Sequence, residues 1–268
     1  MSASKHPTRR VTARHWALAG TVAASAIAAG HPATAPYAPL APAFAETGEG
    51  GESGEAGVVL TEGPAEFLTR LGYFEGTYRI AARLYLTGER EAAAAHLDES
   101  HHAFYEDIEE QIDTYSAPGF VTEAEAFTKA VMNDAGDDTV QSAYDALMAK
   151  VGENAAASGA SRYDQIISLH DLLNLAAVEY EGGVYEGTVD VPIEYRDSWG
   201  FAVTVRDRAK ALAEGDDEAL AQAGHDILEQ LDGIDALFPS LTAETAATDA
   251  SQLAVAAGWT EIYALRLK

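Results

Sequence analysis

From about residue 64 to the C-terminus, apolar side chains recur at the spacing of an α-helix. The first such segment, about Pro64 to Leu86, places its apolar residues three or four positions apart: Phe67, Leu71, Phe74, Tyr78, Ala81 and Tyr85. The segment from Ser161 to Glu181 is apolar on nearly every side, which is typical of a central buried helix. Extended backbone is indicated only from Val184 to Val191, where glycines are frequent. The pattern predicts an all-α fold, an antiparallel helical bundle of seven to eight helices with one short Gly-rich extended segment.

The N-terminal end has the pattern of an export signal. Four basic residues precede a 14-residue apolar stretch from Trp16 to Ala29, and an Ala-x-Ala motif ends at Ala45. The stretch is shorter than a membrane-spanning helix requires. We therefore expect a signal peptide at 1–45, a flexible Gly/Glu-rich leader at 46–60, and a helical bundle domain at 61–268 that divides into possible halves 61–157 and 158–268. The mature protein is then expected to be periplasmic or secreted, with no membrane insertion of its own.

The charge of the chain restricts its partners. Residues 1–45 hold four of the 17 Lys and Arg residues and none of the 43 Asp and Glu residues, so the remainder has 13 basic against 43 acidic residues, a formal charge of −30. Such a surface repels nucleic acid. The complete absence of cysteine also excludes disulfides, iron-sulfur clusters and thiol catalysis. Cation binding and adaptation to a saline habitat both account for the acidity.

A second helix is predicted from about Glu89 to Tyr115, and it contains the histidine-rich sequence HLDESHHAFYEDIEE. The helical period turns His101 toward the core and places His102 on the flank, beside Asp98 and Glu106. Imidazole and carboxylate groups together suit a transition metal better than carboxylates alone do. The segment therefore supplies three candidate metal ligands, His101, His102 and Glu106.

Other helices supply further candidates. Glu75 lies at the edge of the first apolar stripe, where it can pair with Arg79 or face His101 from a neighbouring helix. His170 lies within the most apolar helix, where a core histidine bonded to a backbone carbonyl is the alternative to a ligand. Two acidic-aromatic pairs, Glu179-Tyr180 and Glu194-Tyr195, flank the Gly-rich segment. They can either bind a metal or stabilise the fold through a tyrosine bonded to a glutamate. The predicted metal ligands are Glu75, His101, His102, Glu106, His170, Glu179 and Glu194.

The segment NLAAVEYEGGVYEGTVDVPIEYRDSWGF, residues 174–201, resembles the helical extracytoplasmic domain that precedes the membrane part of some bacterial high-affinity iron permeases. The shared pattern is an acidic residue with tyrosine, a small-residue turn with valine, a Gly-x-Val step and a second Glu-Tyr pair. Here it reads Glu179-Tyr180, Gly183-Val184, Gly187-Thr188-Val189 and Glu194-Tyr195. A more distant resemblance is to imelysin-like periplasmic iron-uptake proteins. These resemblances imply a helical fold and a role in handling iron.

Catalytic motifs are missing from the sequence: it has no cysteine, no G-x-S-x-G elbow and no Walker loop. We therefore expect an exported, non-enzymatic protein that binds a metal cation, with iron as the first candidate, and supports iron uptake or buffering. Its expected partners are the metal ion and a membrane iron permease or another exported protein. The alternative is an exported helical interaction or scaffold module with an acidic, salt-adapted surface. A metal-dependent enzyme is the third alternative.

Overall fold

Nine α-helices, one short β-hairpin and a short 3-10 helix make up the regular structure of residues 59–100, 102 and 105–268, the part of the chain that the computed structural model describes. The helices are α1 (Pro64–Leu86), α2 (Arg90–Glu99), α3 (Glu106–Thr114), α4 (Val121–Met132), α5 (Asp137–Ala157), α6 (Arg162–Gly183), α7 (Pro192–Ala213), α8 (Glu218–Gln230) and α9 (Ser251–Leu265). The all-α prediction is confirmed. Within these residues, no helix is long and apolar enough to cross a membrane. The predicted signal peptide, most of the predicted leader and His101 lie outside the described residues.

The C-terminal four helices pack into one bundle. Helix α6 contacts α7 and α9, and α8 closes the bundle by contacting the same two helices. Their shared core consists mainly of leucine, alanine and isoleucine, and α6 contributes the largest part of it, as its apolar sequence predicts. A short 3-10 helix, Ile234–Leu237, covers one end with buried Ile234 and Leu237.

The N-terminal helices form a second apolar core around α1. This core joins α1 to α2, α3, α4 and α5, while α1 also lies against α6 and α7. Glycine permits the crossing of α1 and α7, because a Cβ atom on Gly76 would lie 2.7 Å from the ring of Phe201 and one on Gly200 would lie 2.9 Å from the carbonyl oxygen of Gly76. The predicted domain bounds at 1–45, 46–60 and 61–268 stay predictions.

A hairpin joins α6 to α7 and determines which of their residues come together. Strands β1 (Val184–Tyr185) and β2 (Thr188–Val189) pair antiparallel. Both loop residues, Glu186 and Gly187, have positive φ angles of 49° and 85°, as a two-residue hairpin turn requires. Because this connection is so short, the C-terminal end of α6 lies beside the N-terminal end of α7. The polar residues at those two ends are therefore neighbours.

The predicted helix from Glu89 to Tyr115 is interrupted. Helix α2 ends at Glu99, α3 begins at Glu106, and Ser100 between them has an extended conformation with φ −69° and ψ 132°. The buried Ser100 hydroxyl lies 3.4 Å from the hydroxyl of Thr77 on α1 and 3.4 Å from the backbone nitrogen of His102. A serine hydroxyl that bonds locally competes with the helical hydrogen bonds. This contact accounts for the break, which periodicity does not reveal.

Candidate metal site

The break between α2 and α3 directs His102 into the protein. Its side chain is only 7% exposed, in contrast to the flank position that an unbroken helix predicts. The imidazole packs edge-on against Tyr73 and Phe201, with ring centroids 5.8 and 5.2 Å away. Two aromatic rings from α1 and α7 therefore hold the histidine in place.

Three side chains from three separate elements place donor atoms together at this point. The Nε2 atom of His102 lies 3.5 Å from Oε1 of Glu179 on α6 and 3.6 Å from Oδ2 of Asp197 on α7. One donor atom from each of the three residues lies within 4.8 Å of the other two. Ligand atoms that each lie about 2.0–2.2 Å from a shared metal are separated by about 3–4 Å. The spacing is therefore compatible with a single metal cation.

The helices hold both carboxylates firmly. Glu179 and Asp197 are each 2% exposed. Beside them, the Ser198 hydroxyl donates a 2.6 Å hydrogen bond to the carbonyl oxygen of Ala176, which ties α7 to α6. Buried carboxylates are costly unless a positive charge or several donors offset them. A cation between Glu179 and Asp197 would supply that charge.

The carboxylate of Glu194 interacts electrostatically with two residues of the same site, Glu179 and His102. Burial raises the pKa of its carboxyl group, the negative charge of Glu179 raises it further, and His102 opposes the shift. Gly182 makes room for this side chain, because a Cβ atom there would lie 1.9 Å from Oε2 of Glu194. Glu194 is therefore placed to interact with a cation bound at the three-residue site.

His96, on α2, lies on the other side of Asp197. Its side chain is fully buried, and Nε2 lies 3.5 Å from Oδ1 of Asp197. Within the described part of the chain, neither ring nitrogen has a hydrogen-bond partner. Burial, followed by the positive charges of Arg196 and His102, lowers the pKa of His96 to about 3. The imidazole is therefore neutral at physiological pH and carries one N–H group.

Of the predicted ligands, Glu75 lies in a different environment. Both of its carboxylate oxygens accept hydrogen bonds from Arg208, the shortest being 2.7 Å from Nη2 to Oε1. The alternative partner considered from the sequence, Arg79, is instead paired with Asp207. The Arg208 Nη1 group donates to the carbonyl oxygen of Leu68, so the pair joins α7 to α1. Here Glu75 is part of a structural ion pair.

His170 and Glu106 also lie apart from the site. The Nδ1 atom of His170 is 2.8 Å from the carbonyl oxygen of Ala257, and Nε2 is 2.9 Å from the side-chain amide of Asn174. This is the bonding expected of a structural histidine in a helical core. Glu106 is exposed at the start of α3.

The tyrosines of the two Glu-Tyr pairs face away from the carboxylates. Tyr180 donates from its hydroxyl to the carbonyl oxygens of Leu237 and Ala247, at 3.2 and 2.8 Å. The Tyr195 hydroxyl donates to the carbonyl oxygen of Ser240 at 3.0 Å. Burial raises the pKa of both hydroxyl groups. These residues anchor the segment that leads into α9, which is the structural alternative considered for them.

The structure thus brings together His102 and Glu179 with Glu194 nearby, and it adds Asp197 and His96. Sequence reasoning missed both added residues. A signal for Asp197 was present, because it follows Glu194 by three positions and shares its helix face. His96 follows Ala93 by three positions, and both are fully buried, so the buried face of α2 runs through His96.

The sequence was compared with families and with individual proteins. No match was found among curated proteins or among solved structures. Residues 156–262 match the family described as the iron permease-associated 4-helix bundle domain. The matched range includes Glu179, Glu194 and Asp197, whereas His96 and His102 precede it. This segment runs from the end of α5 into α9 and is similar to that domain, which confirms the resemblance expected from residues 174–201.

Proposed function

We propose that this protein binds a transition-metal cation, with iron as the first candidate, at a site formed by His102, Glu179 and Asp197. In this proposal the protein is exported and supports iron uptake or buffering beside a membrane iron permease. The observation that carries the proposal is the convergence of one imidazole and two carboxylates, from three elements, within 4.8 Å.

The chemistry of the donors favours a transition metal. Calcium and magnesium prefer sites built only of oxygen, whereas one imidazole with two carboxylates suits iron, manganese or zinc. Burial adds to this preference, because a buried pair of carboxylates attracts a cation much more strongly than exposed ones do. The burial of the set also distinguishes it from the acidic surface of the protein, which would attract any cation weakly.

The choice of iron rests on the family match. The domain found at residues 156–262 is described as iron permease-associated. Two of the three site residues, Glu179 and Asp197, lie inside the matched range, and the connection between α2 and α3 brings His102 to them. The proposed partner, a membrane iron permease, also rests on this match. The proposed export rests on the signal-peptide pattern at residues 1–45.

The test is the metal content of protein purified without a histidine tag, followed by calorimetric titration of metal-free protein with Fe²⁺ under anaerobic conditions, Zn²⁺, Cu²⁺ and Ca²⁺. We expect one transition-metal ion per chain and much weaker binding of Ca²⁺. Replacement His102→Gln should abolish tight binding. Replacement His225→Gln is the matched control, because His225 is exposed on α8.

Two outcomes would contradict the proposal. The first is the absence of metal together with no binding tighter than millimolar. The second is binding that responds equally to His102→Gln and His225→Gln and disappears on addition of salt, because screening removes only diffuse surface attraction. That second result would favour the acidic interaction module.

A further inference from the structure

The carboxylate of Asp197 lies between two histidines that approach different oxygen atoms. Its Oδ2 atom is 3.6 Å from His102, and its Oδ1 atom is 3.5 Å from Nε2 of His96. Oδ2 is thus the oxygen on the side of His102, whose Nε2 atom also approaches Glu179. A carboxylate that binds a metal through one oxygen can accept a hydrogen bond at the other.

We infer that His96 is a positioning residue of the metal site, whose Nε2–H group holds the outer oxygen of Asp197 and so keeps its inner oxygen directed at the metal. This inference rests on the proposed function. His96 is not itself a ligand in this assignment, because it lies outside the group of donor atoms that are within 4.8 Å of one another.

Burial and bonding support this role. Both ring nitrogens of His96 are buried and have no hydrogen-bond partner among the described residues. A buried polar group without a partner is destabilising, so its presence in a core position calls for an explanation. The carboxylate that Nε2 of His96 approaches at 3.5 Å belongs to a proposed metal ligand, Asp197, and a small rotation of either side chain would convert this approach into a hydrogen bond.

The position of His96 also argues against a second metal at this place. The guanidinium of Arg196, which precedes Asp197 on α7, lies within electrostatic reach of His96. A cation bound between His96 and Oδ1 of Asp197 would be repelled by that guanidinium. We therefore expect one metal per chain, with His96 acting through Asp197.

A pair of similar variants separates positioning from packing. The side-chain amide of His96→Gln reaches the place of Nε2 and can donate to Asp197, whereas His96→Met fills similar space without a donor. Glutamine and methionine also have similar helix propensity, so both variants should affect the stability of helix α2 to a similar extent. Each variant is titrated with Co²⁺, whose visible absorption reports the number and arrangement of its ligands.

We expect His96→Met to weaken Co²⁺ binding by about 10- to 100-fold, the usual effect of losing a partner of a metal ligand. It should also change the visible spectrum of the Co²⁺ that still binds. His96→Gln should stay within about threefold of the wild type and keep its spectrum, on the same scale of effects. Circular dichroism and thermal unfolding of both variants verify the fold, and His96→Gln tests the inference even where His96→Met fails to fold.

Equal affinities and spectra for His96→Met and the wild type would overturn the inference and leave the proposed function standing. A loss in His96→Gln as severe as that in His102→Gln would show that His96 binds the metal directly, and would also overturn it. Failure of the wild-type protein to bind Co²⁺ or any other transition metal would instead contradict the proposed function, and the role of His96 with it.

Discussion

The Nε2 atom of His102 lies 3.5 Å from Oε1 of Glu179, although the two residues lie in different elements, far apart in the sequence. His102 belongs to the connection between α2 and α3, and Glu179 to the C-terminal part of α6. A metal bound by both would join the N-terminal helices to the four-helix bundle. Metal binding should then increase the stability of the whole fold, because a ligand stabilises the state that holds its site together.

The first prediction concerns the two buried carboxylates. Replacement Glu179→Gln or Asp197→Asn should weaken Fe²⁺ or Zn²⁺ binding by about 100-fold or more, because each removes an anionic ligand while keeping nearly the same shape. Calorimetry of metal-free protein measures the effect. Glu106→Gln is the matched control, since Glu106 is exposed, and its affinity should not change. Comparable losses in the control would assign binding to the acidic surface.

Much of the helical architecture follows from local sequence. The apolar periodicity predicts α1, and the spacing of Ser161 and Asp164 at the start of α6 is that of a capping box, whose reciprocal hydrogen bonds the structure contains. The extended segment expected after Gly183 is present as the short hairpin, with Gly187 in its turn. These features depend on residues close in sequence, so a pattern within one segment is enough to predict them.

The candidate site depends on contacts that no single segment specifies. The turn of His102 into the core follows from the contact between Ser100, in the connection after α2, and Thr77 on α1. Asp197 meets Glu179 because the backbone of Gly183 approaches Tyr195 so closely that a Cβ atom would lie 2.5 Å from its nitrogen. Helical periodicity describes one helix at a time, and it cannot fix the register between two of them.

The second prediction is that Glu75 and Arg208 stabilise the fold without affecting metal binding. Their side chains are 14% and 18% exposed and share three hydrogen bonds. Glu75→Gln or Arg208→Met should each lower the free energy of unfolding by about 1–3 kcal/mol, because each leaves a largely buried partner uncompensated. The double variant should lose less than the sum of the two.

Denaturant unfolding measures these differences, and the more exposed pair of Arg70 and Glu66 provides a reference. Replacement Arg70→Met should cost no more than about 0.5 kcal/mol, as is usual for exposed pairs on one helix. A large loss of metal affinity in Glu75→Gln would contradict this prediction and show that Glu75 contributes to metal binding.

The third prediction concerns the pH dependence of stability. Burial raises the pKa of the Asp171 carboxyl group, although hydrogen bonds from Thr61 oppose the shift. A carboxyl whose pKa is raised in the folded state binds its proton more tightly when folded. Its contribution to stability is therefore most favourable below the unfolded pKa, and it decreases as the pH rises through the folded pKa.

Asparagine at position 171 is neutral at every pH and can still accept the hydrogen bond from the Thr61 backbone N–H. The stability of Asp171→Asn relative to wild type should therefore increase from about pH 4 to about pH 7. Unfolding by urea at several pH values measures the trend. A relative stability that falls over this range would contradict the cited shift.

The fourth prediction is that the tyrosines of the Glu-Tyr pairs do not bind the metal. Both hydroxyl groups donate to backbone carbonyls. Ferric iron bound to a tyrosinate absorbs visible light strongly, so protein loaded with Fe³⁺ should lack that band. Tyr195→Phe should lower stability by about 0.5–1.5 kcal/mol, the contribution of a typical hydrogen bond. A visible band lost in Tyr180→Phe or Tyr195→Phe would identify a ligand.

The fifth prediction compares alanine substitutions at two glycines, Gly76 in the core and Gly182 beside Glu194. In Gly76→Ala the new methyl group meets the Phe201 ring at 2.7 Å and the backbone of Gly200 at 3.3 Å. Neither the packed ring nor the backbone can yield easily, so stability should fall by about 1–3 kcal/mol. In Gly182→Ala the methyl group meets only the carboxylate of Glu194, the movable end of a flexible side chain.

Gly182→Ala should therefore leave the melting temperature nearly unchanged and displace Glu194. Because Glu194 lies within electrostatic reach of both Glu179 and His102, its displacement should weaken metal binding by about 3- to 10-fold, as expected when one contributing carboxylate moves away. Thermal unfolding of metal-free protein and calorimetric titration measure the two effects. The double variant Gly182→Ala with Glu194→Gln should bind no more weakly than Glu194→Gln alone, since both changes act through the same carboxylate. Additive losses would mean that Gly182→Ala disturbs α6 itself, and Glu194 would then have no demonstrated part in the site.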